Sequence, residues 1–120
     1  MDGRDEGEGR EHFESLAARA LDDLPRWVLD RLDNVEVLIE DRPPPDQPGL
    51  LGLYEGVPLT RRGLGYSGAL PDRITLYRRS IESRARTEDD LVLLVRETVV
   101  HEVAHYFGIS DGRLEELGWG

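Results

Sequence analysis

The stretch from Thr87 to Phe107, TEDDLVLLVRETVVHEVAHYF, constrains the fold more than any other part of the chain. Thr87, with Asp90 three residues on, reads as a helix N-cap, and Glu88, Asp89 and Asp90 put negative charge at the positive end of the expected helix. From Leu91 onward, apolar residues including Val92, Leu93, Val95, Val99, Val103 and Phe107 fall on nearly every face. A helix that is apolar all round is expected to be buried, so this segment predicts the centre of the core. It nevertheless carries His101, Glu102 and His105. Burying such groups without partners is unfavourable by several kcal/mol, which makes a bound partner the better expectation.

Residues four apart on an α-helix are separated by about 40° in azimuth and one turn in height. His101 and His105 can therefore direct two imidazole nitrogens at one point, as a zinc ion requires. Glu102 projects from the same edge of the helix and suits a general base acting on water, the arrangement of an HExxH motif. A catalytic zinc needs a third protein ligand. The carboxylates that follow His105 are Asp111, Glu115 and Glu116. Gly108 is placed to end the helix in a left-handed turn, and Asp111 is the first carboxylate after that turn. Asp111 is the expected third ligand and Glu115 the fallback. The competing role for Asp111 is N-cap of a short helix in SDGRLEELG, a role Ser110 can also fill. With only nine residues after Asp111, a distant glutamate ligand has no room.

The rest of the chain builds a frame around this helix. Residues 1–9, MDGRDEGEG, are acidic and Gly-rich and predict a disordered tail, leaving 10–120 as a single domain. Phe13, Leu16, Ala17, Ala20, Leu21 and Leu24 recur at three- and four-residue steps and predict an amphipathic helix from Arg10 to Leu24. Pro25 interrupts it, and RWVLDRL continues as a short helical segment. NVEVLIED alternates as a strand, LLGLYEG is a second strand loosened by Gly52, and RITLYRR is a third. RPPPDQPG between the first two is a stiff loop, and residues 56–72 are a Gly-rich one. The third strand is expected to offer an edge to which an extended peptide adds.

Several classes are disfavoured. The net charge of −10 argues against nucleic-acid binding. No apolar run is long enough to span a membrane, and the acidic start does not read as a secretory signal. With no cysteine there is no disulfide or thiolate metal site, and a cytoplasmic location is the default expectation. GLGYSG, Gly63 to Gly68, matches GxGxxG, but ALPDR follows where a phosphate-binding helix would have to start, so a loop beside the cleft is expected instead. His12 sits in the first helix with no ligand partner nearby in sequence and reads as a surface or interface histidine.

The block HEVAHYFGISD resembles the HExxHxxGxxH/D signature of metzincin-type zinc metalloproteases, with aspartate in the third position. With PDRITLYRRS and ETVVHEVAHYFGISDGRLEELG, the chain resembles the small bacterial family of zincin-like metallopeptidases of minimal length. The resemblance implies an α+β fold: a small mixed β-sheet packed on an active-site helix, with an N-terminal helix. It implies that His101, His105 and Asp111 bind Zn2+ and that Glu102 acts as base in hydrolysis of a peptide or protein substrate by a zinc-activated water. Tyr77 or Tyr66 is the candidate to assist at the oxyanion. The only methionine is Met1, so no methionine turn is expected under the metal, and with nine residues after Asp111 the far wall of larger zincins is not expected either. A non-catalytic zinc-containing module that binds peptide or protein is therefore the competing expectation.

Overall fold

The computed structural model describes residues 3–58 and 70–116, with the side chains of 3–6 and Glu115 left aside. Among the described residues there are five helices and one three-stranded sheet: α1 (Gly3–Asp22), α2 (Arg26–Arg31), β1 (Val35–Glu40), β2 (Gly52–Glu55), β3 (Asp72–Tyr77), α3 (Arg78–Arg84), α4 (Glu88–Tyr106) and α5 (Asp111–Glu116). The sheet order is β1-β3-β2, with β1 parallel and β2 antiparallel to β3. This is a mixed sheet in an α+β fold.

Alternation along the strands sets one face of the sheet against the helices. Val37 pairs with Ile74 and Ile39 with Leu76, and these side chains share a face. They join Phe13 and Leu16 of α1, Ile81 of α3, and Val95, Val99 and Val103 of α4 in one core. Val95, Val99 and Val103 are spaced four apart, so they form a single stripe along α4, which packs on α1, α3, β2 and β3. Each such side chain stabilises the fold by roughly 1.5–3 kcal/mol through its burial.

Thr87 caps α4 as its sequence predicts, accepting a hydrogen bond from the Asp90 backbone N–H at 3.1 Å. His12 reaches from α1 to Glu88 at 2.5 Å, joining the two helices near the start of α4. Tyr106, at the other end of α4, is fully buried and receives the Asp33 N–H on its hydroxyl, which donates in turn to the Arg31 carbonyl. The junction between α2 and β1 is thereby fixed against the helix that carries the histidines.

Four expectations need correction. Residues 3–9, predicted as a tail, continue α1: once the apolar-striped segment has nucleated a helix, each further residue adds a hydrogen bond at little extra entropy. The third strand ends at Tyr77, and Arg78 turns into α3, where its guanidinium is buried and bonds Asp41 and Glu82. β3 is central and paired on both sides, so it has no edge for an added peptide. Finally, α4 is not buried all round: Leu93 is 55% exposed, and Leu91, Val92, Leu94 and Val100 are half-buried. Among the described residues, no helix is long and apolar enough to cross a membrane.

Candidate metal centre

α4 ends as the glycine requires. Gly108 has φ of 85°, its N–H bonds the His105 carbonyl, and the Ile109 N–H bonds the Ala104 carbonyl. This pair of bonds is a Schellman motif, which satisfies the last carbonyls of α4 and reverses the chain. Ser110 then caps α5, its hydroxyl accepting from the Arg113 N–H at 3.2 Å. Leu114, fully buried, anchors α5 to the core, and Arg113 pairs with Glu116 along it. Because Ser110 serves as the cap, the Asp111 carboxylate is left to face the histidines.

It faces both. Asp111 Oδ1 lies 2.8 Å from His101 Nε2 and 2.9 Å from His105 Nε2. The two imidazole rings stand nearly edge to face, with centroids 4.7 Å apart. Glu102 is 6% exposed and its Oε1 lies 3.1 Å from His105 Nδ1. Ligand atoms of His101, Glu102 and His105 also lie within 4.8 Å of one another, so Glu102 and Asp111 compete on paper for the third position. The ring chemistry separates them. Nδ1 and Nε2 point away from opposite edges of an imidazole, so a group held at Nδ1 of His105 is off the point on which the two Nε2 atoms converge. Asp111 sits on that point, and Glu102 beside it.

The donor set fits zinc. Tetrahedral ligands at about 2.0–2.1 Å from zinc are about 3.3–3.4 Å apart, so an outward shift of roughly half an ångström would admit the ion. A carboxylate between two imidazoles needs positive charge there, from bridging protons or from a cation. The contact of His105 Nδ1 with Glu102 is the kind of second interaction that fixes a ligand's tautomer and leaves its Nε2 lone pair for metal.

Electrostatics distinguish the two carboxylates. Burial pushes the Glu102 carboxyl above the ordinary range, a rise opposed by His105 and His101 and aided by Asp111. The hydrogen bond from His105 holds Asp111 below its usual range, with partial burial opposing and His101 adding to the effect. One carboxylate is thus suited to take up a proton, the other to stay ionised.

A cleft of about 750 Å3 opens beside the centre, between residues Gly49–Gly52 and the face of α4 that carries Leu93, Glu97, Val100 and His101. Gly52 in its wall lies close against α4. A Cβ there would come within 2.8 Å of Thr98 Cγ2 and 3.2 Å of Glu102 Cγ. The sequence marked Gly52 only as a weak spot in a strand, yet a strand glycine also marks close approach of another element. Tyr77 is buried, and among the described residues it makes no hydrogen bond to His101, Glu102, His105 or Asp111. Tyr66 and Gly63–Gly68 lie outside the described residues, as does the side chain of Glu115.

The sequence model of a family described as zincin-like metallopeptidase matches residues 32–119. The chain belongs to the zincin-like metallopeptidase family. The match takes in all three strands and the helix with both histidines. A conserved hypothetical protein from Thermus thermophilus is similar in structure, with a TM-score of 0.60 at 30% identity, over 87% of this chain and 98% of that one. No curated protein sequence matches the chain. Family membership implies zinc binding, and α4 carries a group of His101, Glu102 and His105 that could hold a metal ion.

Proposed function

We propose that this protein is a zinc-dependent peptidase in which His101, His105 and Asp111 hold the metal and Glu102 is the general base. The observation that carries the reading is the convergence of both Nε2 atoms on Asp111 Oδ1, with a buried carboxylate alongside, in a chain of this family. Zinc supplies a Lewis acid that polarises a carbonyl and acidifies water. Glu102 accepts a proton from the attacking water and returns it to the leaving amine. Burial raises the proton affinity of Glu102, which favours uptake of that proton. The absence of a side chain at Gly52 lets the cleft wall approach Glu102, where a Cβ would come within 3.2 Å of its Cγ. The peptide or protein substrate lies in the cleft between Gly49–Gly52 and α4.

One contact favours a second reading. Glu102 is engaged with His105 Nδ1, which suits a carboxylate that supports a structural zinc in a non-catalytic peptide-binding module. Digestion of a peptide library separates the two. The peptidase cleaves when zinc-loaded and stops in Glu102→Gln with zinc retained, whereas a binding module retains peptides intact in both forms.

A further inference from the structure

On the face of α4 leading up to the histidines, Leu93 and Val100 lie outside the hydrophobic core, whereas Leu94, and Leu51 across the cleft, pack against it. Leu93 is 55% exposed on a helix whose Val95 and Val99 are essentially inaccessible. Leu94 and Val100 are half-buried on the same cleft, and Leu50 and Leu51 face them from the opposite wall. Arg96 and Glu97 also line the cleft and are exposed, but their opposite charges give it no net sign. The same cleft is lined at its other end by His101 and Glu102. It is therefore continuous with the candidate centre.

Its dimensions fit a short run of extended chain. Leu93 is eight residues before His101, about 12 Å along a helix axis. An extended peptide covers that distance in about four residues at roughly 3.3 Å each. A volume of about 750 Å3 falls within the range of pockets that enclose small ligands.

We infer that this cleft is a specificity site for a large aliphatic side chain of the substrate, carried within about four residues of the cleaved bond. The inference rests on the peptidase reading for its orientation but can be tested without turnover. Leucine is desolvated between Leu93 and Val100 on one side and Leu50 on the other, while alanine leaves that part of the cleft unfilled and aspartate is placed against these apolar side chains beside the like charge of Glu97.

The test uses zinc-loaded protein and matched peptides carrying Leu, Ala or Asp at each of the four positions on either side of the cleaved bond. At one position, kcat/KM for Leu should exceed that for Ala by about tenfold or more, the scale of an apolar pocket's discrimination. Leu93→Glu should bring that ratio to within about twofold, since the exposed Leu93 can be replaced without opening the core. An unchanged ratio in Leu93→Glu, or no preference at any position, overturns the inference and leaves the peptidase reading standing. Where no peptide is cut, the peptidase reading fails and the inference is read from fluorescence anisotropy of the labelled Leu and Ala peptides. Tighter binding of the Leu peptide that Leu93→Glu abolishes upholds it, and equal binding overturns it.

Discussion

Gly52 and Thr98 are packed so closely that a Cβ on Gly52 would lie 2.8 Å from Thr98 Cγ2. Thr98 cannot easily yield, because its hydroxyl donates to the Leu94 carbonyl at 2.7 Å and fixes its rotamer. This contact sets the distance between the cleft wall and the residue one turn further along α4, Glu102. Gly52→Ala is expected to displace β2, destabilise the protein by about 1–3 kcal/mol through overpacking, and lower kcat/KM by roughly tenfold or more with zinc still bound. Thr98→Ser removes the obstructing methyl and keeps the hydroxyl. The double variant Gly52→Ala/Thr98→Ser should recover part of the lost activity, measured as kcat/KM beside each single variant, because the Cβ would still meet the Thr75 carbonyl oxygen and Glu102 Cγ at 3.2 Å. No recovery would mean that Gly52 acts through something other than this contact.

Asp111 is free to serve as a ligand because Ser110 caps α5. Asp111→Ala is expected to weaken zinc binding by about tenfold or more while α5 stays in place. Ser110→Ala is expected to lower stability by about 1 kcal/mol and leave zinc affinity within a few-fold. Competition with a chromophoric zinc chelator measures both. Equal loss in the two variants would mean that Asp111 acts structurally.

Gly108, at φ of 85°, carries the turn that brings Asp111 under the histidines. Gly108→Ala places a Cβ in a left-handed conformation and should cost roughly 1–2 kcal/mol, seen as a lower midpoint in chemical denaturation. Gly108→Asn should cost less, because asparagine tolerates that region.

Tyr77 gives a pH test. Burial, then the charges of Glu55, Glu40 and Glu102, push its phenol above the ordinary value of 10.0. A group whose pKa is raised by folding contributes stability that is present below its unfolded pKa and lost as pH rises through the folded value. The protein should therefore lose stability above pH 10.0, and Tyr77→Phe should flatten that part of the profile. Absorbance titration at the tyrosinate band should show one late-ionising phenol that is missing from the variant. With no hydrogen bond from Tyr77 to the centre, Tyr77→Phe should keep kcat/KM within about threefold of wild type, a loss below about 1 kcal/mol.

Much of this was legible in the chain because the signals are local. Thr87 and Asp90 gave the start of α4 and Gly108 its end, since caps are read from a few neighbouring residues. Pro25 marked the break between α1 and α2, and alternation located β1 and β3. What escaped was set by packing. The exposure of Leu93 depends on how far the wall at Gly49–Gly52 extends over α4, and no periodicity reports that. The central position of β3 follows from the parallel pairing of β1 with β3, which inserts β3 between strands that precede it in sequence. α3 was hidden because RITLYRRS runs from a β-rich segment into a helix without proline or glycine to mark the change. Gly52 was visible, but its neighbours Thr98 and Glu102 are far along the chain, on a different element.

The decisive measurement is digestion of a mixed peptide library by the zinc-loaded protein, run beside Glu102→Gln with zinc content determined for both. The zinc-peptidase reading requires cleavage by the wild type and its loss by about a hundredfold or more in Glu102→Gln, the scale of a general base, with zinc still bound in equal amount. Zinc-loaded wild type that leaves every peptide intact, or Glu102→Gln that cleaves as fast as wild type, would contradict it.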